Sequence, residues 1–308
     1  MPESPEVEAL VEELGERLTG RALTGVDVLE FRVTKTRGRP PESLVGERVT
    51  GATRHGKLVD VAFGAAHLVV SLGRHGWARW QVDAAEAAEA DAAAVVAAAE
   101  AADATAVTAA ADAADAADEP PPALVTFTFD EGSTLEFTDA GEWLSLGCWV
   151  VDDPAEVPAI AKLGPDPADP EFSRADFDRV VTGRRKQVKA VLQEQESLAG
   201  IGNAYSDEIL HAAKISPVAH AAALTEQELD RLFEATVGTI RSTIDARRGV
   251  PMDQLKAAKV ASMQVHGRAG ETCPVCGGTI RDFSFASTTA QYCPTCQTDG
   301  ELLPLKEG

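Results

Sequence analysis

Long apolar runs are missing from this chain: no 18 consecutive residues are apolar without a charge. Nothing therefore resembles a transmembrane run, nor does any stretch resemble a signal peptide, and a soluble cytoplasmic protein is the expectation. Cysteine is scarce, with five residues in all, four of them in one C-terminal pattern. A cytosolic setting disfavours disulfides. The fifth, Cys148, lies in an apolar run and reads as a small buried side chain. Positive charge is also short. The formal net charge is -21, which argues against a protein-wide basic footprint for nucleic acid. Residues 83–119 hold ten acids and no Lys or Arg. The rest of the chain is still acidic, so any DNA binding needs locally clustered cations.

What is present begins at the first residues, Met1-Pro2-Glu3. With Met1 removed, as is usual before a small residue, Pro2 carries a secondary amine. A terminal α-amino group titrates near 7.7–8.0, so a fraction is neutral and nucleophilic at neutral pH. Glu3 beside it supplies a carboxylate. An amine and an acid together can form a Schiff base at a carbonyl-like carbon. The same stretch also reads as a plain helix start, with Ser4 as N-cap, Pro5 at the first helical position and acids in the first turn. The two readings are compatible, because a helix behind the terminus holds it still.

Residues 5–19 carry Val7, Leu10, Val11, Leu14 and Leu18 at the spacing of one buried helical face, and Gly20 marks its end. From about 25 to 82 short apolar runs alternate with glycine: Val26–Val33, Arg48–Ala52, Lys57–Phe63, His67–Leu72 and Trp77–Val82. This predicts a sandwich or barrel. Arg54-His55-Gly56-Lys57 places cations just before a strand, which alone reads as a solvated hairpin. Residues 83–122 are nearly all Ala, Asp and Glu, ending in three prolines. With few larger apolar residues no face can dock, and a disordered insertion is expected. Strands resume at Ala123–Phe129, Ser133–Thr138 and Leu144–Val151.

Residues 152–172 read as an interdomain linker, rich in Pro, Gly and Asp. Beyond 173 the text is helical. Arg184-Arg185-Lys186-Gln187-Val188-Lys189 is the densest cation cluster, with Val188, Val191 and Leu192 predicted inward and the cations outward. Gly200-Ile201-Gly202 then demands a tight bend before a helix from Asn203 to about Ala213. Unpaired N-terminal amides there make a ready phosphate site, with Asn203 as an added donor, although an ordinary helix–helix turn has the same pattern. Further helices fit Glu226–Ile244 and Met252–Val260. Last come Cys273-Pro-Val-Cys276 and Cys293-Pro-Thr-Cys296, separated by sixteen residues. Two such knuckles bite one tetrahedral zinc, with a β-hairpin as spacer. All four positions are filled by protein, so the metal is structural.

Taken in this order, the chain resembles the formamidopyrimidine-DNA glycosylase and endonuclease VIII family. The resemblance rests on Pro2-Glu3, on Pro5-Glu6-Val7-Glu8, on Gly56-Lys57 opening a strand, and on Leu163-Gly164-Pro165. It continues through Lys189 to the run Gly200–Glu208, and through Val265-His266-Gly267-Arg268 with Gly270-Glu271 into the four-cysteine ribbon. It implies an α+β multidomain fold: a β-sandwich with a leading helix (1–151, interrupted by 83–122), the linker 152–172, a helix–two-turn–helix domain (173–262) and a zinc ribbon (263–301). It implies a monomer, not bound to a membrane, that acts on damaged double-stranded DNA with the target nucleotide flipped out of the stack. The activity implied is base excision with strand cleavage by β/δ-elimination. Pro2 would be the nucleophile, Glu3 the general acid/base with Glu6 as a secondary acid, and Lys57 and Asn203 phosphate grips. Lys189, Arg74, Trp143 and Arg268 would be further DNA contacts. Cys273, Cys276, Cys293 and Cys296 would hold one zinc.

Departures bear on that expectation. Thr288 stands where family members usually carry a ribbon Arg, and Arg281 is a possible stand-in. Arg74-His75 follows Leu72-Gly73 where a Met is common. Glu142-Trp143 replaces an Arg-Phe wedge. Trp143 can still stack between bases, but Glu142 repels a phosphate chain. A catalytically weak or inactive damaged-DNA-binding protein of the same fold is therefore the rival expectation. A zinc-ribbon RNA-binding factor is a weaker third, since it gives the amine no role.

Overall fold

The computed structural model describes residues 1–82, 121–285 and 288–303. The segment expected to be a disordered insertion lies, but for its last two residues, outside the described residues. Helix α1 (Ser4–Leu18) starts one residue earlier than the periodicity suggests, and its N-cap is Glu3, not Ser4. Glu3 and Glu6 close a reciprocal capping box. Val7, Leu10, Val11, Leu14 and Leu18 are all buried, as the spacing requires.

The strands form two four-stranded antiparallel sheets. Strands β2 (Gly51–His55), β3 (Leu58–Phe63), β4 (Ala66–Ser71) and β8 (Gly147–Val151) make one, in that order. Strands β1 (Leu23–Val28), β6 (Ala123–Phe129), β7 (Thr134–Asp139) and β5 (Gly76–Gln81) make the other. Their inner faces share one core, where Val59, Val61, Phe63, Leu68 and Val70 meet Val125, Phe127, Leu135 and Phe137, together with the apolar face of α1. This is the sandwich alternative of the sequence reading. Cys148 is fully buried there, and burial pushes its thiol up to about 12.

The helices are α2 (Pro158–Ala161), α3 (Arg174–Val181), α4 (Val188–Gln193), α5 (Asn203–Ala213), α6 (Glu226–Arg247) and α7 (Leu255–Ser262). Leu255 of α7 packs into the first core, while a second core lies among α3, α4, α5 and α6. Phe177, Val188, Val191, Leu192, Ile201, Tyr205, Ile209, Leu232 and Ile240 fill it. The ribbon follows as a hairpin of β9 (Arg281–Phe285) and β10 (Thr288–Tyr292), then a short α8 (Pro294–Gln297). No helix among the described residues is long and apolar enough to cross a membrane.

Three buried polar clamps join these parts. The Arg54 guanidinium, 8% exposed, pairs with Glu8 of α1 at 2.5 Å and with Asp166 at 2.7 Å. The Tyr205 hydroxyl of α5 donates to Glu6 of α1 at 2.5 Å. The Glu208 carboxylate accepts the backbone N–H groups of Gln264, Val265 and His266 at 2.8–3.0 Å, which fixes the chain entering the ribbon. Each satisfies groups that would otherwise be buried unpaired.

Candidate active site

Two glycines decide how close the chain's start comes to α5. Gly200 adopts φ +86°, and a Cβ there would lie 1.6 Å from Ser4 Oγ. Its carbonyl accepts the Ser4 N–H at 3.0 Å. A Cβ on Gly202 would lie 2.6 Å from Glu3 Cδ and 2.7 Å from Lys57 Nζ. Only side-chain-free backbone lets the N-terminus of α5 meet Glu3 face to face.

The meeting corrects one expectation. The first amides of α5 were expected to point outward, open to a phosphate. Instead the Gly202 N–H makes a short bond to Glu3 Oε2, and the Ala204 N–H donates to Glu3 Oε1 at 3.0 Å. The helix terminus holds the protein's own carboxylate. Burial works to push the Glu3 carboxyl up, but Lys259, Lys57 and the two N–H groups together hold it below the usual carboxylate range. Glu3 is therefore a carboxylate at neutral pH.

Lys57 lies against Glu3, and burial pulls its ammonium down despite the attraction of that carboxylate. It is absent from the lining of the adjacent cavity. Lys189 departs further from expectation. It was placed on the outward face of α4, yet it is only 4% exposed. Its Nζ donates to Asp207 Oδ1 at 2.5 Å, Ser206 Oγ at 2.9 Å and the Asn203 carbonyl at 3.2 Å. The reason is Asp207, a fully buried acid on α5 that needs a cation and takes the one the helical spacing seemed to give to solvent. Its other oxygen binds His266 Nδ1 at 2.8 Å. Lys189 is thus tied to the start of α5, with its charge set against Asp207 and not on an exposed helix face.

In front of Glu3 lies a cavity of about 740 Å³, within the range of roughly 300–1,000 Å³ that holds small ligands. Met1, Glu3, Arg74, Asn203, Lys256, Lys259, His266 and Arg268 are among its lining residues. Asn203 Oδ1 accepts from Gln193 Nε2 at 3.0 Å, so its amide nitrogen is the donor left over. Arg268 pairs with Glu271 at 3.0 Å while both line the cavity. Burial first, then Lys259, holds the Met1 amine below its ordinary value. Arg74, Lys256, Lys259 and Arg268 thus gather at this cavity in an acidic chain.

Arg74 and Trp143 sit on two loops that are pinned together. The Arg74 N–H donates to Ser145 Oγ at 2.8 Å. The Asp139 carboxylate gathers Gly141 N, Ser145 N, Ser145 Oγ and Leu146 N at 2.9–3.2 Å. Trp143 projects from this loop 84% exposed, with Glu142 exposed beside it. A large aromatic ring held out on a fixed loop is ready to stack.

At the ribbon, the four Sγ atoms of Cys273, Cys276, Cys293 and Cys296 lie within 4.8 Å of one another. Cys273 and Cys296 are 3.9 Å apart, Cys276 and Cys293 3.3 Å. A tetrahedral zinc with bonds of about 2.3 Å sets its sulfurs roughly 3.8 Å apart, so the donor set fits. His211 Nε2 of α5 lies 3.3 Å from Cys273 Sγ and ties the knuckle to the helix.

Three domain families match along the chain: the formamidopyrimidine-DNA glycosylase N-terminal domain at residues 1–143, the H2TH domain of the same enzymes at 163–253, and the zinc finger found in FPG and IleRS at 270–298. The formamidopyrimidine-DNA glycosylase of Mycolicibacterium smegmatis is 31% identical over 316 residues, covering 96% of this chain and 97% of that protein. The chain belongs to the formamidopyrimidine-DNA glycosylase family. An uncharacterized formamidopyrimidine-DNA glycosylase-like protein of Mycobacterium tuberculosis is 44% identical over 149 residues, covering 48% of this chain and 93% of that one. In fold, a Lactococcus lactis Fpg (MutM), solved with DNA containing N7-benzyl-Fapy-dG, superposes with a TM-score of 0.77 at 23% identity. The match covers 96% of this chain and all of that one. The ribbon of this glycosylase-family chain holds one structural zinc, with no open coordination position.

Lys259 and His266 were not singled out as site residues in the sequence. His266 was legible only as part of Val265-His266-Gly267-Arg268. Lys259 gave no signal, because a lysine late in a short helix that also carries Lys256 reads as solvated. In the structure it is 7% exposed.

Proposed function

We propose that this family member is a DNA glycosylase with AP lyase activity whose nucleophile is the Pro2 nitrogen, freed by removal of Met1. The carrying observation is the Glu3 carboxylate, next to that nitrogen in the chain and held ionised at the N-terminus of α5, at the edge of a cation-lined cavity. The Pro2 lone pair attacks C1′ of a flipped nucleotide, and the C1′–N bond breaks with the base as leaving group. Glu3 accepts the proton lost from the amine and returns it to the sugar ring oxygen as the C1′–O4′ bond opens. The resulting iminium acidifies C2′–H. Loss of that proton expels the 3′ phosphate, and a second elimination expels the 5′ phosphate. Zinc takes no part in these steps. It keeps the ribbon, and with it Arg268, against α5.

Asn203, Arg74 and Arg268 face the cavity and suit phosphate contacts, and Trp143 suits the wedge. Lys57 acts on Glu3 in this scheme. The test is borohydride reduction during incubation with an abasic duplex. The iminium becomes a stable amine, and peptide mass spectrometry should find the adduct on Pro2. Trapping that persists with Met1 retained or the terminus acylated would refute the assignment. The binder reading draws on Glu142 and Thr288, and the same assay decides it: tight binding to abasic DNA with no adduct and no nick.

A further inference from the structure

Lys259 makes more contacts with the reacting end of the chain than any residue the sequence singled out. Its Nζ donates to the Met1 carbonyl at 2.9 Å, to Glu6 Oε2 at 3.0 Å and to Glu3 Oε1 at 3.4 Å. It also sits 4.7 Å over the Tyr205 ring. It is buried, yet lines the cavity. The Met1 carbonyl is one bond removed from the Pro2 nitrogen, so covalent geometry places Nζ no farther than about 5 Å from that nitrogen.

We propose that Lys259 is the positioning residue that keeps the mature amino terminus in its neutral, attacking form while aiming Glu3 at it. This rests on Pro2 being the nucleophile. With Met1 removed, the third N–H of Lys259 loses its acceptor and faces the space beside the Pro2 nitrogen. Two carboxylates of α1, Glu3 and Glu6, favour a protonated amine there. Against them stand Lys259 and Lys256 of α7, Lys57 of the β2–β3 turn and Arg247 of α6, with Tyr205 of α5 uncharged. Lys259 alone among these cations touches both carboxylates and the terminal peptide group. Without it the cation that acts most strongly on the amine is gone while Glu3 and Glu6 remain, and the proton is held more tightly. The charge also holds Glu3 Oε1, the oxygen that accepts the Ala204 N–H, so the carboxylate keeps one orientation.

The experiment is single-turnover borohydride trapping on an abasic duplex between pH 5 and 9, with the adduct mapped by mass spectrometry. Wild type should show a rate that rises with pH through the amine's titration. Lys259→Met should move that rising limb up by about one pH unit, so that trapping at pH 6 slows about tenfold. Lys259→Arg, which keeps the charge, should stay near the wild-type limb. Melting curves establish that each variant folds, and Lys259→Gln replaces the Met variant if that one does not. A limb that stays in place in the neutral variant, or moves equally in the Arg variant, overturns the proposal. Wild-type trapping on an amine other than Pro2 instead overturns the reading beneath it.

Discussion

Glu3 has two jobs that a single substitution separates. As the N-cap of α1 and the acceptor of two α5 amides it is structural, and as the neighbour of Pro2 it is the proposed proton carrier. Glu3→Gln keeps much of the shape and removes the charge. Trapping on abasic DNA should fall by about 10²–10⁴-fold, the span of general acid–base contributions, while binding to an uncleavable abasic analogue changes little. Its folding linkage has a definite sign. The folded Glu3 carboxyl lies below its ordinary 4.5, so its stabilisation is present above that pH and is lost as pH falls through the folded value. Urea unfolding between pH 5 and 3 should therefore show a steeper loss for wild type than for Glu3→Gln. Lys189 shows why some residues at this scale escape a sequence reading. Helical spacing tells which side a residue faces, but not that a buried Asp207, eighteen positions on, waits on that side. Lys189→Met leaves Asp207 with only His266, and should cost about 3–5 kcal/mol by thermal or urea unfolding.

At the scale of elements, the parts with local rules were legible. The start of α5 after Gly-Ile-Gly, the apolar face of α1, the β9–β10 hairpin between two Cys-x-x-Cys knuckles and the alternating strands all follow from short-range geometry. What faces the N-terminus of α5 was not legible, since an anion site in the sequence does not say which anion. Here it is Glu3, brought from 199 residues away. The loops bearing Arg74 and Trp143 are a second case. They are separate in sequence and joined through Ser145 and Asp139 and by the Ala140 N–H on the His75 carbonyl. Trp143→Ala removes a ring that is 84% exposed, so stability should change by no more than about 0.5 kcal/mol. If the ring is a wedge, trapping on duplex abasic DNA should weaken while trapping on single-stranded abasic DNA holds. Equal losses on both substrates would place Trp143 elsewhere in the mechanism.

Over the whole molecule, charge and function pull in opposite directions. The chain carries -21, yet Arg74, Lys256, Lys259 and Arg268 converge on one cavity. A polyanion approaching from afar meets repulsion, and attraction is felt only within about 10 Å at 0.1 M salt. Binding to abasic-analogue DNA should then depend on salt through the few cations that reach phosphates. Each released counterion contributes about -0.9 to the slope of log K against log salt. Lys256 is exposed at the cavity and Arg268 half-buried there, so Lys256→Met and Arg268→Gln should each flatten that slope by about 0.9. Arg54 provides the contrast. It clamps α1 to the segment between α2 and α3 through Glu8 and Asp166 and is 8% exposed. Arg54→Met should lower the melting temperature and weaken binding at every salt concentration, leaving the slope unchanged. A slope that falls for Arg54→Met as much as for Lys256→Met would mean that the cavity cations are not the ones that neutralise the backbone.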